Sequence, residues 1–346
     1  MRTLTELAPP APHQDDGTPV TDRHADRAAA PHQARGFSGT SAQHESAIKH
    51  VTGRAAYIDD LAAPANALHI AVGLSSVAHG RITRLELDAV RSAPGVVDVI
   101  TVSDVPGHTD IGPVFPGDPI MADGEVLYAG QVVFAVAATS YRAARQAVKA
   151  AVLEIEELPA QLDPVAAAEA GEFVRPSHRQ QSGDWEAALG AARHIVESEQ
   201  FVGGQEHFYL EGQACVVHPT EDEGVMVHTS NQHPSETQKL IAEVLGIPFH
   251  AVTVEVRRMG GGFGGKETQA SPWACLAALI ARRTGRSCRV RLPRADDMKV
   301  TGKRHPFHNR YRLGVDDRGV IQGGDITVIG DCGYSPDLSE AIVDRA

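Results

Sequence analysis

The chain has 346 residues, of which 42% are apolar, and a formal net charge of −12 at pH 7. This length predicts about two domains, and the negative charge argues against binding to nucleic acid, whose phosphates would repel it. No run of about 18 apolar residues predicts a membrane span, and the first twenty residues lack a secretion signal or paired arginines. These features predict a cytoplasmic protein.

Residues 1–45 are rich in Pro, Ala, His and Asp without an apolar period, which predicts a disordered arm. Residues 46–165 have a mixed α and β pattern and are predicted to form the first domain. Its strands are predicted at residues 68–74, 96–102, 132–137 and 152–155. Ser140 is predicted to cap a helix whose buried face consists of small residues.

Residues 180–346 are predicted to form the second domain. Its predicted elements are a helix at 185–192, paired strands at 215–218 and 225–228, a helix at 236–245 and a hairpin at 315–320. Ser235 and Gln238 predict a capping box for the helix at 236–245.

The four cysteines are scattered and form no C-x-x-C pair; they are Cys215, Cys275, Cys288 and Cys332. Zinc and iron–sulfur sites need clustered thiolates, so neither is predicted in this chain. The cysteines are predicted to be free buried thiols.

The glycine loop, residues 259–267, reads Met-Gly-Gly-Gly-Phe-Gly-Gly-Lys-Glu between a predicted strand at 251–256 and a predicted helix at 273–283. It fits G-x-G-x-x-G and most of the P-loop pattern. However, Glu267 replaces the Ser or Thr that a P-loop uses to hold Mg²⁺. The ribose-binding acid of a dinucleotide site is also missing, since no acid follows until Asp296. Both nucleotide interpretations fit poorly and remain alternatives.

Two further clusters accompany the loop, at residues 203–212 and 301–307. Together the three resemble the molybdenum-binding subunit of bacterial xanthine dehydrogenases, within the xanthine dehydrogenase and aldehyde oxidase family. Residues 53–60 and 123–132 extend the resemblance, and residues 230–236 resemble the xanthine-specific branch. The resemblance implies an α+β fold in which an α/β hammerhead domain precedes the first part of a molybdenum-cofactor domain.

The resemblance also implies site residues. Gln205 matches a glutamine whose amide faces the molybdenum oxo group, and the Phe263 N–H is expected to point at the same oxygen. Gly262 and Gly264 are expected to let the loop approach the pterin, and Glu267 matches a glutamate that binds the purine. The structural alternatives are a turn glutamine, a strand-to-helix turn around an apolar Phe263, and a helix-start acid at Glu267.

Other polar residues near these motifs carry weaker predictions. Glu206, His207 and Glu211 are disfavoured as a metal triad, because neighbouring side chains on a strand diverge. Arg304 and His305 are expected to support the loop or a subunit contact. No residue of the chain is predicted to bind the metal directly.

The implied enzyme hydroxylates hypoxanthine and xanthine to urate with water as the oxygen source. It uses a molybdenum–molybdopterin cofactor, with FAD and [2Fe–2S] clusters on a partner subunit in a hetero-oligomer. The general-base glutamate of the family is expected beyond Ala346, so the chain is expected to be truncated, to hold no catalytic residue and to be inactive alone. The alternatives are an aldehyde or N-heterocycle oxidase of the same group, and a non-catalytic scaffold that binds partner subunits.

Overall fold

The computed structural model describes residue 39 and residues 41–346, so most of the predicted arm at 1–45 lies outside the described residues. The chain divides into two units after Ala55. In the first unit the described part holds one short helix, α1 (Ala47–Val51). All elements that follow belong to the second unit.

The strands of the second unit are β1 (Leu68–Leu74), β2 (Gly80–Glu86), β3 (Val96–Ile100), β4 (Glu125–Val126), β5 (Val132–Ala138), β6 (Val152–Glu157), β7 (His194–Val202), β8 (Ala214–Pro219), β9 (Val225–Thr229), β10 (Val252–Glu255), β11 (Cys288–Arg291), β12 (Phe307–Val315) and β13 (Ile321–Gly330). The helices are α2 (Asp88–Arg91), α3 (Tyr141–Val148), α4 (Pro164–Ala170), α5 (Trp185–Ala191), α6 (Pro234–Leu245), α7 (Ser271–Thr284), α8 (Arg294–Val300) and α9 (Ser339–Val343).

The largest sheet has seven strands in the order β10-β9-β8-β11-β1-β5-β3. At its centre β1 pairs in parallel with β11, with Leu68 opposite Cys288, while β5 pairs antiparallel with the other edge of β1. Strands from both predicted domains therefore share one sheet. The predicted boundaries at 46–165 and 180–346 stay predictions.

Two three-stranded sheets complete the second unit, in the orders β13-β12-β7 and β4-β2-β6. Cross-strand ion pairs join β12 to β7: Arg310 with Glu199 at 2.9 Å and Arg312 with Glu197 at 2.5 Å. Such exposed pairs add little stability, so this sheet depends mainly on its ladder and on α5, which packs against β13 and β12.

Helix α7 is the centre of the main core and packs on β8, β11 and α6. It is apolar on all sides, as expected of a fully buried helix, and residues 273–281 are all buried. At its end Arg283 pairs with Asp98 at 2.8 Å and Asp104 at 3.1 Å. None of the helices in the described residues is long and apolar enough to cross a membrane.

Most predicted elements are confirmed within a few residues, including β1, β5, the cap of α3 by Ser140, and the hairpin between β12 and β13. The capping box at Ser235 is wrong. Helix α6 begins at Pro234, and His233 takes the capping position. The ring of Pro234 fixes its φ for the first helical turn, so the helix starts earlier than the serine predicts.

Candidate functional site

The glycine loop joins β10, an edge strand of the large sheet, to the buried helix α7. Phe263 has φ +54° and is 75% exposed. Phe208, in the neighbouring 203–212 segment, has φ +52° and is 68% exposed. Left-handed backbone costs a non-glycine residue about 1–3 kcal/mol and concentrates at functional sites. Two such phenylalanines in these motifs indicate a surface shaped for a ligand.

The two flanking glycines predicted to approach the pterin differ. At Gly262 an added Cβ would lie 2.5 Å from Oε1 of Gln232, so this glycine permits close packing against the protein. At Gly264, which has φ +90°, the nearest atom to an added Cβ is Nε2 of His207 at 3.8 Å. Only Gly264 therefore leaves room on its open side for a ligand.

The side chain and main chain of Gln232 bind the glycine loop. Its side-chain Oε1 accepts hydrogen bonds from the main-chain N–H groups of Gly264 at 3.0 Å and Lys266 at 3.1 Å. The main-chain N–H of Gln232 donates to the Lys266 carbonyl at 2.9 Å. Because both neighbours are N–H donors, the amide oxygen must face them and the NH₂ group must face away. Among the described residues, no acceptor binds that NH₂ or the Phe263 N–H.

Lys266 points into the protein and is fully buried. Its ammonium donates to the Glu211 carbonyl and to Oγ of Ser230, each at 2.6 Å, and lies 4.6 Å from the centre of the Tyr209 ring. Burial lowers its pKa to about 8, while the nearby carboxylates of Glu211 and Asp297 oppose the change. A P-loop lysine must reach a phosphate, so this arrangement rules out the P-loop interpretation.

Glu206, His207 and Glu211 do not converge. Burial works to raise the pKa of Glu206, but hydrogen bonds from Lys303, at 3.0 Å, and the Phe208 N–H outweigh it and lower that pKa. The His207 ring lies against the loop, where a Cβ added at Gly265 would be 2.7 Å from it. Burial lowers the pKa of His207. The three side chains thus make separate contacts.

Gln205 is exposed and forms an antiparallel bridge with Arg304. Its N–H donates to the Arg304 carbonyl at 3.3 Å, and the Arg304 N–H donates to the Gln205 carbonyl at 3.0 Å. The bridge joins the 203–212 and 301–307 segments. His305 lies within hydrogen-bonding distance of Oγ of Ser339, 2.7 Å from its Nε2. The loop-support or subunit-contact role expected of Arg304 and His305 stays a prediction.

The structure brings together the glycine loop, Gln232 and Glu211, but it does not place Gln205 in contact with the loop among the described hydrogen bonds. Sequence reasoning missed Gln232. The available signal was its position in the 230–236 motif, which was interpreted only as a mark of substrate class. The role predicted for Gln205 stays a prediction.

Glu267 is the last residue of the glycine loop and is half-buried. It faces a second carboxyl, Glu236 of α6, whose side chain is 12% exposed and 3.2 Å from His233. Burial raises the pKa of Glu236, the nearby His233 opposes this, and the charge of Glu267 adds to the rise. A ligand with N–H donors would find carboxylate oxygens of Glu267 and Glu236 close together at the end of the loop.

Asp337 belongs to the same acidic region and accepts hydrogen bonds from Thr268 at 3.2 Å and Gln269 at 3.4 Å. Burial raises its pKa from 3.8 to about 6, and those two hydrogen bonds oppose the rise. The folded state therefore binds the proton more tightly than the unfolded chain. The stabilising contribution is complete below pH 3.8 and is lost as the pH rises through 6.

We expect Asp337→Asn to raise the free energy of unfolding by about 1–3 kcal/mol at pH 7.5 and to change it little at pH 4. Asparagine keeps the shape and tolerates the positive φ of this position, +36°. Urea unfolding at both pH values measures the effect, with the exposed Asp325→Asn as a control. An equal gain at both pH values would contradict the assigned titration.

Two family models cover most of the chain. Residues 52–159 match the aldehyde oxidase and xanthine dehydrogenase a/b hammerhead domain, and residues 168–346 match the molybdopterin cofactor-binding domain. The predicted fold, in which a hammerhead domain precedes a molybdenum-cofactor domain, is confirmed.

The chain is also similar in sequence to aldehyde oxidases and xanthine dehydrogenases. Aldehyde oxidase 3 of Rattus norvegicus is 41% identical over 311 residues, which is 89% of this chain and 23% of that protein. Xanthine dehydrogenase of Dictyostelium discoideum is 36% identical over 304 residues, 88% of this chain and 22% of that protein. The chain therefore spans about a quarter of the length of these relatives.

Among solved structures, the aldehyde oxidoreductase of Desulfovibrio desulfuricans superposes with a TM-score of 0.76 at 26% identity. The match covers 84% of this chain and 34% of that one.

Proposed function

We propose, from the premise that this chain belongs to the aldehyde oxidase and xanthine dehydrogenase family, that it forms part of the site of a molybdenum hydroxylase that oxidises hypoxanthine and xanthine to urate. The observation that carries the proposal is the N–H of Phe263, which has no acceptor among the described residues, close in the loop to the NH₂ of Gln232 and to the open side of Gly264. Two neutral donors at one exposed point fit a group that presents oxygen acceptors.

The residues fit a molybdenum–molybdopterin cofactor through these donors. When bound, the cofactor would supply two-electron oxidation with water as the oxygen source. Gln232 would orient it through its amide, and Phe263 through its main chain. We extend to Gln232 the amide role expected of Gln205, because Gln232 is the glutamine hydrogen-bonded to the loop.

The position and charge of Glu267 favour a purine as the substrate. Xanthine and hypoxanthine offer ring N–H donors, and the half-buried carboxylate lies four positions after Phe263, beside Glu236. Hydrogen bonds to a charged group contribute about 1.5–3 kcal/mol. A site built around such a bond discriminates strongly against substrates that lack the donor.

In the cofactor-loaded enzyme, we expect Glu267→Val to lower kcat/KM for xanthine by about 10- to 150-fold, the equivalent of 1.5–3 kcal/mol. Turnover of an aromatic aldehyde should fall less than twofold. Steady-state kinetics with both substrates test this, and Glu255→Val, which changes an exposed acid at the end of β10, is the control. Equal losses for both substrates would contradict the purine assignment.

An aldehyde or N-heterocycle oxidase of the same group is the second candidate, favoured by the exposed apolar side chains of Phe208, Leu210 and Phe263 around the loop. The same experiment separates an aldehyde oxidase from the purine enzyme, because an aldehyde oxidase requires aldehyde turnover to exceed purine turnover in the wild-type enzyme; an N-heterocycle oxidase requires a non-purine heterocycle as a third substrate that exceeds both. A scaffold role predicts turnover of neither substrate.

We also propose that FAD and [2Fe–2S] clusters lie on a partner subunit of a cytoplasmic hetero-oligomer. In support, burial raises the pKa of Cys215 and of Cys288 to about 12, and it raises that of Cys275 as well. Buried protonated thiols are poor iron ligands.

A further inference from the structure

Glu211 contacts both ends of the glycine loop. At the start, its Oε2 accepts the Gly260 N–H at 2.7 Å, and its own N–H donates to the Gly260 carbonyl at 3.1 Å. At the end, its carbonyl accepts from the Lys266 ammonium at 2.6 Å, and its Oε2 lies 3.7 Å from that ammonium. Glu211 thus links the start of the glycine loop to its end.

The same carboxylate connects the loop to the rest of the fold. Oε2 also accepts from Oγ of Ser230 at 2.6 Å, and Oε1 accepts from the N–H of Ile58 at 3.1 Å. The turn at Ile58–Asp60 is held in place by Arg289 of β11, which donates to the Asp59 carbonyl at 2.6 Å. Glu211 therefore joins the loop to a central strand of the large sheet.

Burial makes this arrangement rigid. The Glu211 side chain is 10% exposed and that of Lys266 is fully buried, so the electrostatic contacts are little screened by water. At Gly260 an added Cβ would lie 2.5 Å from Cβ of Glu211, so the two backbones approach closely there. Phe263 and Gly264 lie between these fixed ends, where the Gly264 N–H also donates to Oε1 of Gln232 at 3.0 Å.

We infer that Glu211 is a positioning residue: by fixing both ends of the glycine loop to the sheet, it aims the Phe263 N–H and the open side of Gly264 at the bound ligand. The identity of that ligand rests on the proposed function. The positioning itself concerns only the loop and is measurable without a ligand.

The first experiment is hydrogen–deuterium exchange of the full chain without cofactor. We expect Glu211→Gln to speed exchange of the amides at residues 260–266 at least tenfold, while α7 keeps its protection. Glu206→Gln, a change of an ion-paired carboxylate in the same segment that does not contact the loop, should leave loop exchange within twofold of wild type. Loop exchange within twofold of wild type in Glu211→Gln would overturn the inference.

A second variant separates positioning from stability. Glu211→Gln alone leaves the buried Lys266 ammonium without its carboxylate, whereas Glu211→Gln/Lys266→Met removes both charges and is expected to recover the melting temperature. We expect the double variant to melt within a few degrees of wild type but to keep fast loop exchange and to retain at most a fifth of the wild-type molybdenum per chain. Recovery of slow exchange together with stability would reduce Glu211 to a structural residue and overturn the inference.

The two proposals fail separately. Fast loop exchange in the variants of a protein whose wild type binds no molybdenum would contradict the proposed function and support the positioning role. Slow exchange in the variants of a protein that does bind molybdenum would do the reverse.

Discussion

Gly264→Ala is expected to leave the chain folded but to abolish most cofactor binding, whereas Gly265→Ala is expected to destabilise the fold itself. At Gly265 the new Cβ would lie 2.7 Å from the His207 ring and 2.8 Å from the Tyr209 ring, within a buried region. Overpacking of this kind costs about 1–3 kcal/mol. At Gly264 the cost is limited to the strain of φ +90°, about 1–2 kcal/mol, because the surroundings are open.

Urea unfolding and molybdenum content per folded chain measure the two effects. Gly285→Ala is the matched control. Gly285 ends α7 with φ +64° and nothing within 4 Å of an added Cβ, so it reproduces the strain without approaching the loop. We expect Gly264→Ala and Gly285→Ala to have similar stability, but only Gly264→Ala to lower molybdenum content, by at least tenfold. Equal molybdenum in both would mean that the open side of Gly264 does not face the cofactor.

The local elements of this fold follow from the sequence because their signals are local. The run at β5 is apolar at every position and the helix α7 is apolar around its whole circumference, so both are recognisable without knowledge of their partners. Strand β7 was missed for the opposite reason. It is exposed along nearly its entire length, and its pattern contains no buried face to detect.

The joining of the two predicted domains in one sheet could not be predicted. It depends on the parallel pairing of β1 with β11, whose partners Leu68 and Cys288 are far apart in the chain. The sequence of neither strand identifies its partner, because buried central strands share the same nearly continuous apolar pattern. Only the packing of the whole core selects this pairing.

The sequence predicted the glycine loop of the site but not the buried contacts that hold it. The abundance of glycine identified the loop, and the departure from the P-loop at Glu267 correctly weakened the nucleotide interpretation. The burial of Lys266 could not be predicted from the sequence, because a lysine is ordinarily a surface residue. Its acceptors, Ser230 and Glu211, come from two other segments, so the contact exists only in the folded chain.

Asp297→Ala is expected to destabilise the chain by about 3–5 kcal/mol, the largest effect on stability that we predict. The Asp297 side chain is fully buried and accepts hydrogen bonds from the Tyr209 hydroxyl at 2.6 Å and the Gln213 N–H at 2.7 Å. Alanine leaves both donors buried, and the Gln213 N–H is left without an acceptor. Because Gln213 also donates to the Gly265 carbonyl at 3.0 Å, the loss should extend to the glycine loop.

Its neighbour in sequence provides the control. Asp296 forms an ion pair with Arg145, but both side chains are partly exposed, so Asp296→Ala should cost no more than about 1 kcal/mol. Urea unfolding of the two alanine variants at pH 7.5 compares adjacent carboxylates on one helix, α8, that differ chiefly in burial. Similar losses in both would show that helix α8, rather than the buried hydrogen bonds beneath the loop, determines the cost. A loss confined to Asp297→Ala would assign the cost to the hydrogen bonds that the buried Asp297 carboxylate accepts from Tyr209 and Gln213.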